Sequence, residues 1–216
     1  MKWPLIVVAI GAILFLAVSG AGKIVGILIL AAGIAWIVLG QKKYKESIVT
    51  DKEYDSEVRK NLNDLENRAL NKLGVDKDEV GEIAPIYISG FRYQGCSRFK
   101  KGEDNYFRTD VYESVALFFS QNEVHCYKLN FNTLEKKQTE STDVYFYQDI
   151  VSVSTTSQET EIADSITNEK QTVNYESFEL RTAGGTSLSV AIRDQDQAQR
   201  SINAMRALLR EKKTRN

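Results

Sequence analysis

The residue types best suited to catalysis are scarce in this chain of 216 residues, which has one histidine and two cysteines. A cysteine nucleophile needs a base within hydrogen-bonding reach, and His125 stands directly beside Cys126. Both fall in a predicted strand, where neighbouring side chains point to opposite faces. The remaining cysteine, Cys96, lies in a Gly-Cys-Ser loop with no partner motif. We therefore expect no catalytic pair and no enzyme activity.

The same inventory argues against a metal, a cofactor and nucleic acid. Structural zinc is usually held by cysteine and histidine, and these are too few here. Gly184-Gly185 joins two predicted strands and lacks a following helix to cradle a phosphate, so it is a turn. The chain has 10 tyrosines and 9 phenylalanines, but its net charge of -1 lacks the positive potential that nucleic acid requires. We expect none of the three.

Two apolar runs, Trp3 to Val18 and Ile24 to Leu39, open the chain and are joined by a short link of small residues with Lys23. A helix that crosses a bilayer needs about 20 apolar residues. Each run reaches that length only by including small residues at its ends. The runs predict a transmembrane helical hairpin over residues 1–40. The alternative is that the first run is a cleaved signal peptide.

The lysines that flank these runs predict an orientation. Lys42, Lys43 and Lys45 follow the second run, and Lys2 precedes the first. Cytoplasmic loops carry an excess of such residues. We therefore expect a multi-pass protein of the plasma membrane whose soluble domain lies in the cytoplasm, with the lipid bilayer as one partner.

Small residues follow one face of the second apolar helix. Gly22, Gly26, Gly33 and Gly40 are spaced by four, seven and seven residues. Glycines on one stripe let helix backbones approach closely. We interpret the stripe as a packing face within the hairpin, and homo-oligomerisation through the same face is the alternative.

Residues 41–84 are predicted to be a juxtamembrane linker with an amphipathic helix. Thr50 to Glu53 has the form of a capping box, which favours a helix start. An apolar stripe follows, and Gly74 is typical of a helix end. The stripe spans about two heptads, which is short for a coiled coil. We expect this helix to cover the domain behind it.

From Ile86 onward the pattern favours antiparallel strands followed by a helix. Gln121-Asn122 and Gly184-Gly185 predict hairpin turns, and Asp194 predicts a helix cap. The strands are predicted near Ile86 to Tyr93, Phe107 to Ser120, Glu123 to Phe131, Val144 to Thr155, Val173 to Thr182 and Thr186 to Ile192. The helix ends in a basic run, which can either meet an anionic surface or complement the helix dipole: Arg206, Arg210, Lys212, Lys213 and Arg215.

The stretch from Val144 to Val153 resembles a strand of bacterial pleckstrin-homology-like (PH-like) and GRAM-like domains. Phe178 to Thr186 and the helix from Gln195 match the elements that follow in those families. The resemblance covers about residues 85–212. It implies that residues 85–216 form an antiparallel β-barrel or sandwich capped by the C-terminal helix. The expected fold class is thus an α+β membrane protein.

The resemblance also implies one candidate binding site. Phosphoinositide-binding members carry basic residues across the first hairpin, and the corresponding region of this chain is basic, although acidic residues dilute its charge. The region is either a solvated loop or an anionic-ligand patch for a lipid headgroup. The candidate residues are Arg92, Arg98, Lys100, Lys101 and Arg108.

The anchor and the resemblance together predict a membrane-anchored cytoplasmic binding or scaffold module. Tethering raises the effective concentration of a domain, so weak contacts with a protein or lipid partner become useful. The alternative is a structural subunit of a membrane complex that assembles through the glycine-striped hairpin. In either case we expect no catalysis.

Overall fold

A computed structural model of the chain describes residues 6, 8–10, 12–13, 24–35 and 49–214. Contacts between Cα atoms divide the chain into two units, Met1–Thr50 and Asp51–Asn216. In the first unit, residues 24–35 are helical, as are the described residues between 6 and 13. The second unit contains the sheets.

The predicted transmembrane hairpin is wrong. No helix among the described residues is long and apolar enough to cross a membrane. The apolar runs that suggested the hairpin were already of minimal length. The flanking lysines that gave the orientation lie outside the described residues.

The predicted fold class, an α+β membrane protein, is wrong for the same reason. The described residues form a mixed α/β fold with mostly antiparallel sheets. The predicted location, multi-pass in the plasma membrane with the domain in the cytoplasm, depended on the hairpin and is also wrong.

The glycine stripe of the first unit is described in part. Gly26 and Gly33 are helical and buried, whereas Gly22 and Gly40 lie outside the described residues. The packing role of these glycines stays a prediction. Assembly of a membrane complex through them presupposed the transmembrane hairpin, which the structure contradicts.

Two helices open the second unit, where one was predicted. They are α1 (Asp51–Leu62) and α2 (Leu65–Leu73). Asp64, between them, has a φ of 60°, a left-handed conformation that interrupts a regular helix. The predicted end at Gly74 is confirmed, since its φ is 70° and its N–H donates to Leu70 O.

Nine strands and a final helix follow along the described part of the chain. They are β1 (Ile86–Phe91), β2 (Phe99–Lys101), β3 (Phe107–Thr109), β4 (Val111–Phe119), β5 (Glu123–Asn132), β6 (Gln138–Phe146), β7 (Ile150–Ala163), β8 (Lys170–Thr182), β9 (Ser187–Ala191) and α3 (Gln195–Thr214). One sheet has the order β1-β4-β5-β6, a second has the order β7-β8-β9, and β2 pairs with β3 as a separate hairpin. All these pairings are antiparallel.

Both predicted hairpin turns are confirmed. The N–H of Ser120 donates to Glu123 O over 3.0 Å at the β4–β5 turn. The N–H of Thr182 donates to Thr186 O over 2.9 Å at the β8–β9 turn, where Gly185 has a φ of 84°. Such a positive φ favours glycine. In each hairpin the length and type of the turn fix the register of the two strands.

The hydrophobic core lies between the two larger sheets and α3. Both sheets contribute completely buried side chains, such as Leu117 and Phe178, and α3 contributes Ile202 and Met205. The other face of the first sheet is held by α2, because Tyr87 of β1 donates its hydroxyl to Glu66 over 2.9 Å. As predicted, the first helical region covers the strands.

Candidate functional site

Arg108 is the centre of a charge cluster that joins α1 to the β2–β3 hairpin. Only 3% of its surface is exposed. Its Nη2 lies 2.9 Å from Asp55 Oδ2, and its Nη1 lies 2.9 Å from Asp104 Oδ1. These bonds offset the cost of burying a guanidinium. The hydrogen bond from Arg108 lowers the pKa of Asp104 to about 2, so its carboxylate is charged at neutral pH.

Two more residues of the predicted anionic-ligand patch are paired with carboxylates. Lys100 lies directly opposite Arg108 in the β2–β3 register, and like charges so placed repel. The repulsion is offset because Lys100 Nζ lies 2.9 Å from Asp51 Oδ1. Arg98 Nε lies 3.1 Å from Asp164 Oδ2.

The two remaining patch residues have different surroundings. Lys101 is exposed, and its Nζ lies 5.6 Å from the centre of the Phe107 ring. Arg92 is half-buried in the loop after β1. The structure thus brings Arg98, Lys100, Lys101 and Arg108 onto one hairpin, but it supplies counter-ions for three of them. Binding of an anionic ligand at this patch stays a prediction.

The cysteines and the histidine lack the features of an activated nucleophile. Burial raises the pKa of the Cys126 thiol to about 12 and that of Cys96 to about 11. A thiolate is the reactive form, so both thiols are protonated at neutral pH. His125 lies beside Glu123 instead, with 3.3 Å between Nε2 and Oε1. Across the described residues, no cluster of three or more histidine, cysteine or acidic side chains could hold a metal.

A cleft of about 640 Å³ lies between β1 and the start of α3. One wall is formed by Tyr87, Ile88 and Ser89, and the other by residues 192–198. Ligand sites in proteins usually enclose about 300–1,000 Å³. Sequence reasoning missed this cleft because its walls are far apart in the chain, and only the cap at Asp194 was recognised.

The wall from β1 presents main-chain groups to the cleft. Among the described strands, β1 pairs with β4 alone. On the opposite edge, the carbonyl of Ser89 accepts the N–H of Arg193 over 2.9 Å. Peptide groups alternate in direction along a strand, so those of Tyr87 point the same way. No main-chain group of a described residue bonds to Tyr87 on this edge.

The wall from α3 carries an acidic helix start. The predicted cap is confirmed, because the N–H of Gln197 donates to Asp194 Oδ1 over 2.9 Å. Asp196 is exposed in the first turn. Arg193 is already engaged, since its Nη2 lies 3.1 Å from Asp55 Oδ1. The side chains that face the cleft therefore leave it with a net negative charge.

The β1 wall of the cleft is held in place from behind. The hydroxyl of Ser89 is 3.0 Å from that of Tyr112 on β4. The hydroxyl of Tyr87 donates a hydrogen bond to Glu66. From the other wall, the Cζ atom of Arg193 lies 5.9 Å from the centre of the Phe91 ring on β1. A wall fixed before binding lowers the conformational entropy that the protein itself loses when a ligand binds.

Gly90 allows β1 and β9 to approach each other beside the cleft. A Cβ at this position would lie 2.6 Å from the carbonyl oxygen of Ala191 and 2.8 Å from its carbon. We expect Gly90→Ala to lower the free energy of unfolding by about 1–3 kcal/mol, measured by chemical denaturation. Gly81→Ala is the matched control, because nothing lies within 4 Å of its Cβ position. Equal stability of the two variants would contradict the close approach.

Comparison with known proteins gives no relative for this chain. No protein-family model, curated protein or solved structure matches it. The resemblance to PH-like domains therefore stays a prediction.

Proposed function

We propose that this chain is a binding module that holds an extended segment of a partner protein in the cleft between β1 and α3. The observation that carries this proposal is the open edge of β1, where the peptide group of Tyr87 faces a cleft of about 640 Å³. A segment that enters there can pair with β1 as an added strand. In this mode main-chain hydrogen bonds give affinity and side-chain pockets give selectivity.

The charge of the cleft defines the segment that fits it. Asp194 and Asp196 are exposed on the α3 wall of the cleft, and the cation next to them in sequence, Arg193, is paired with Asp55. A lysine or arginine of the partner would therefore find an unneutralised acidic site. The segment that we propose is short, extended and basic.

The polar groups of the described residues support binding better than catalysis. Both thiols have a raised pKa, and His125 is paired with Glu123 outside the cleft. A general base or nucleophile must lie within hydrogen-bonding reach of the reacting group. The lining of the cleft combines the main chain of β1 with the carboxylates of Asp194 and Asp196, which suit recognition of a peptide.

Gln197→Trp tests the proposal. Gln197 is exposed and lines the cleft, so an indole there should fill the space that the segment needs. We expect peptides selected from a displayed random library on the full-length chain to bind wild type and to bind the variant at least tenfold more weakly, measured by calorimetry.

Gln199→Trp is the matched control. Gln199 is exposed on the same helix, lies outside the cleft and hydrogen-bonds only to Asn203 among described side chains. The control should bind the selected peptides as wild type does, and thermal melts should show that both variants fold. Failure of the library to yield any binder, or equal binding by the two variants, would overturn the proposal.

A further inference from the structure

Strands β7 and β8 extend past their sheet as a two-stranded arm. β9 pairs with β8 only from Ser177 to Arg181. The β7–β8 pairing continues to Ala163 and Lys170. Residues 156–163 and 170–176 therefore form a ribbon that no other described strand pairs with.

One face of this arm is acidic. Ser157 lies opposite Glu176, Glu159 opposite Asn174, and Glu161 opposite Thr172. Side chains two residues apart on a strand share a face, so the three glutamates lie together. Lys170 Nζ lies 2.8 Å from Glu161 Oε1 and neutralises only part of this charge.

A basic stripe lies at the opposite end of β7. Arg206, Arg210 and Lys213 are spaced by four and three residues, so they share one face of α3. With Ile150–Val153 they line a groove of about 180 Å³. Arg206 Nε donates to Val153 O over 2.9 Å, and Lys213 Nζ donates to Ile150 O. No carboxylate of a described residue forms an ion pair with the three cations.

Glu159 and Glu161 of the acidic face lie beyond the reach of Arg206 in the same chain. Arg206 is attached at Val153, and Glu159 is six residues further along the same strand. A strand rises about 3.3 Å per residue, so this separation is about 20 Å. The separation exceeds the combined reach of the two side chains. Mutual neutralisation therefore requires a second molecule.

We infer that a second copy of this chain supplies the missing charge: the acidic face of the arm of each copy binds the basic stripe on α3 of the other. In a two-fold arrangement the same surfaces meet twice, because each β7 is basic beside one end and acidic at the other. Antiparallel placement about an axis near Thr156 brings these unlike ends together. This surface is separate from the cleft between β1 and α3.

Exposed apolar side chains occur on the same two surfaces. Ile166, at the tip of the arm, is 65% exposed, and Val151, in the groove, is 61% exposed. Their burial in the dimer adds a contact that does not depend on salt. The charge pairs supply the orientation and the choice of partner.

Reversal of charge on each surface tests this inference. The full-length chain should sediment as a dimer that dissociates as salt is raised, because salt screens exposed charge pairs. Glu159→Lys with Glu161→Lys, and separately Arg206→Glu with Arg210→Glu, should each weaken self-association at least tenfold. The expected measurement is sedimentation equilibrium over a range of protein concentration.

Mixing the two reversed variants gives the decisive comparison. In the mixed dimer both contacts again join unlike charges, so dimers should reappear that neither variant forms alone. Lys136→Glu with Arg200→Glu changes two exposed charges elsewhere and should leave the dimer unchanged. A monomeric wild type, including one that binds another acidic protein here, would overturn the inference. So would a dimer that resists the reversals, or a mixture that stays monomeric.

Discussion

Replacing Arg108 with methionine is expected to lower the free energy of unfolding by about 3 kcal/mol, the lower end of the usual range for a broken buried ion pair. The substitution removes the guanidinium that Asp55 and Asp104 share, and with it the buried link between α1 and the β2–β3 hairpin. The lower end applies because these carboxylates are 26% and 53% exposed and recover some hydration. Chemical denaturation of the full-length chain measures the change.

Arg181→Met is the matched control for this experiment. Arg181 is paired with Glu179, but its side chain is 61% exposed. Exposed pairs contribute about 0–1 kcal/mol, so the control should remain close to wild type. A loss at Arg108 no larger than the loss at Arg181 would show that the buried cluster does not hold α1.

The pH dependence of the Arg108 variant gives an independent test. In the folded chain the pKa of Asp104 is about 2, below its ordinary value of 3.8. Its ion pair therefore stabilises the fold above pH 3.8, and that contribution is lost as pH falls toward 2. Without Arg108 the main cause of the lowered pKa is absent. The variant should lose less stability than wild type over this interval, and equal losses would contradict the pairing.

Replacing Ile202 with alanine is expected to lower the free energy of unfolding by about 3 kcal/mol, within the usual 2–5 kcal/mol for such truncations. Ile202 is completely buried where α3 packs on the sheets. The smaller side chain loses this contact and leaves a cavity. Denaturation should show the loss without a change in the helix content of the native state.

Asn203→Ala is the adjacent control on the exposed face of α3. Its side chain accepts a bond from Gln199 over 3.1 Å, and exposed substitutions usually change stability by about 0.5 kcal/mol or less. If Ile202→Ala were no more damaging than this control, α3 would not be packed as the structure shows.

The sequence predicted strands correctly where turn residues and the alternation of apolar and polar residues indicate the same hairpin. The Gln121-Asn122 turn defined the β4–β5 hairpin, and the Gly184-Gly185 turn defined the β8–β9 hairpin. The predicted strand Val144 to Thr155 is wrong, because a short 3-10 turn, Tyr147–Asp149, divides it into β6 and β7. The sequence from Val144 to Thr155 contains no glycine or proline that would indicate this break.

Contacts distant in sequence cause that interruption. The N–H of Tyr147 donates to Asn122 O over 3.2 Å, and its hydroxyl donates to Ser120 O over 2.7 Å. The carbonyl of Asp149 accepts the N–H of Ala183 over 2.8 Å. The chain thus passes from one sheet to the other at this turn, and no propensity of residues 144–155 contains that information.

No strand was predicted between Thr155 and Val173, where the structure places most of the arm. Residues 156–161 are all polar, so this segment lacks the alternation of apolar and polar residues that predicts a strand. Their strand conformation comes from pairing with β8 and from burial of Ile162 and Val173. Sequence pattern is weakest where one face of a strand is polar and the other is covered by residues distant in the chain.

The candidate sites were predicted less well than the strands. Sequence showed the basic residues around Arg108 but could not show that Asp51 and Asp55 neutralise them, since these acids lie on α1, about 50 residues earlier. The cleft was missed for the same reason. Tyr87 and Gln197 line the same cleft although they are 110 positions apart in the sequence (197 minus 87).

Nuclear magnetic resonance of the full-length chain with a library-selected peptide tests the binding proposal most directly. We predict that the amide signals of Tyr87, Ser89 and Gln197 shift on titration, and that the Tyr87 amide becomes protected from hydrogen exchange as it pairs with the added strand. Shifts confined to the β2–β3 hairpin or the arm, with unchanged exchange at Tyr87, would contradict it.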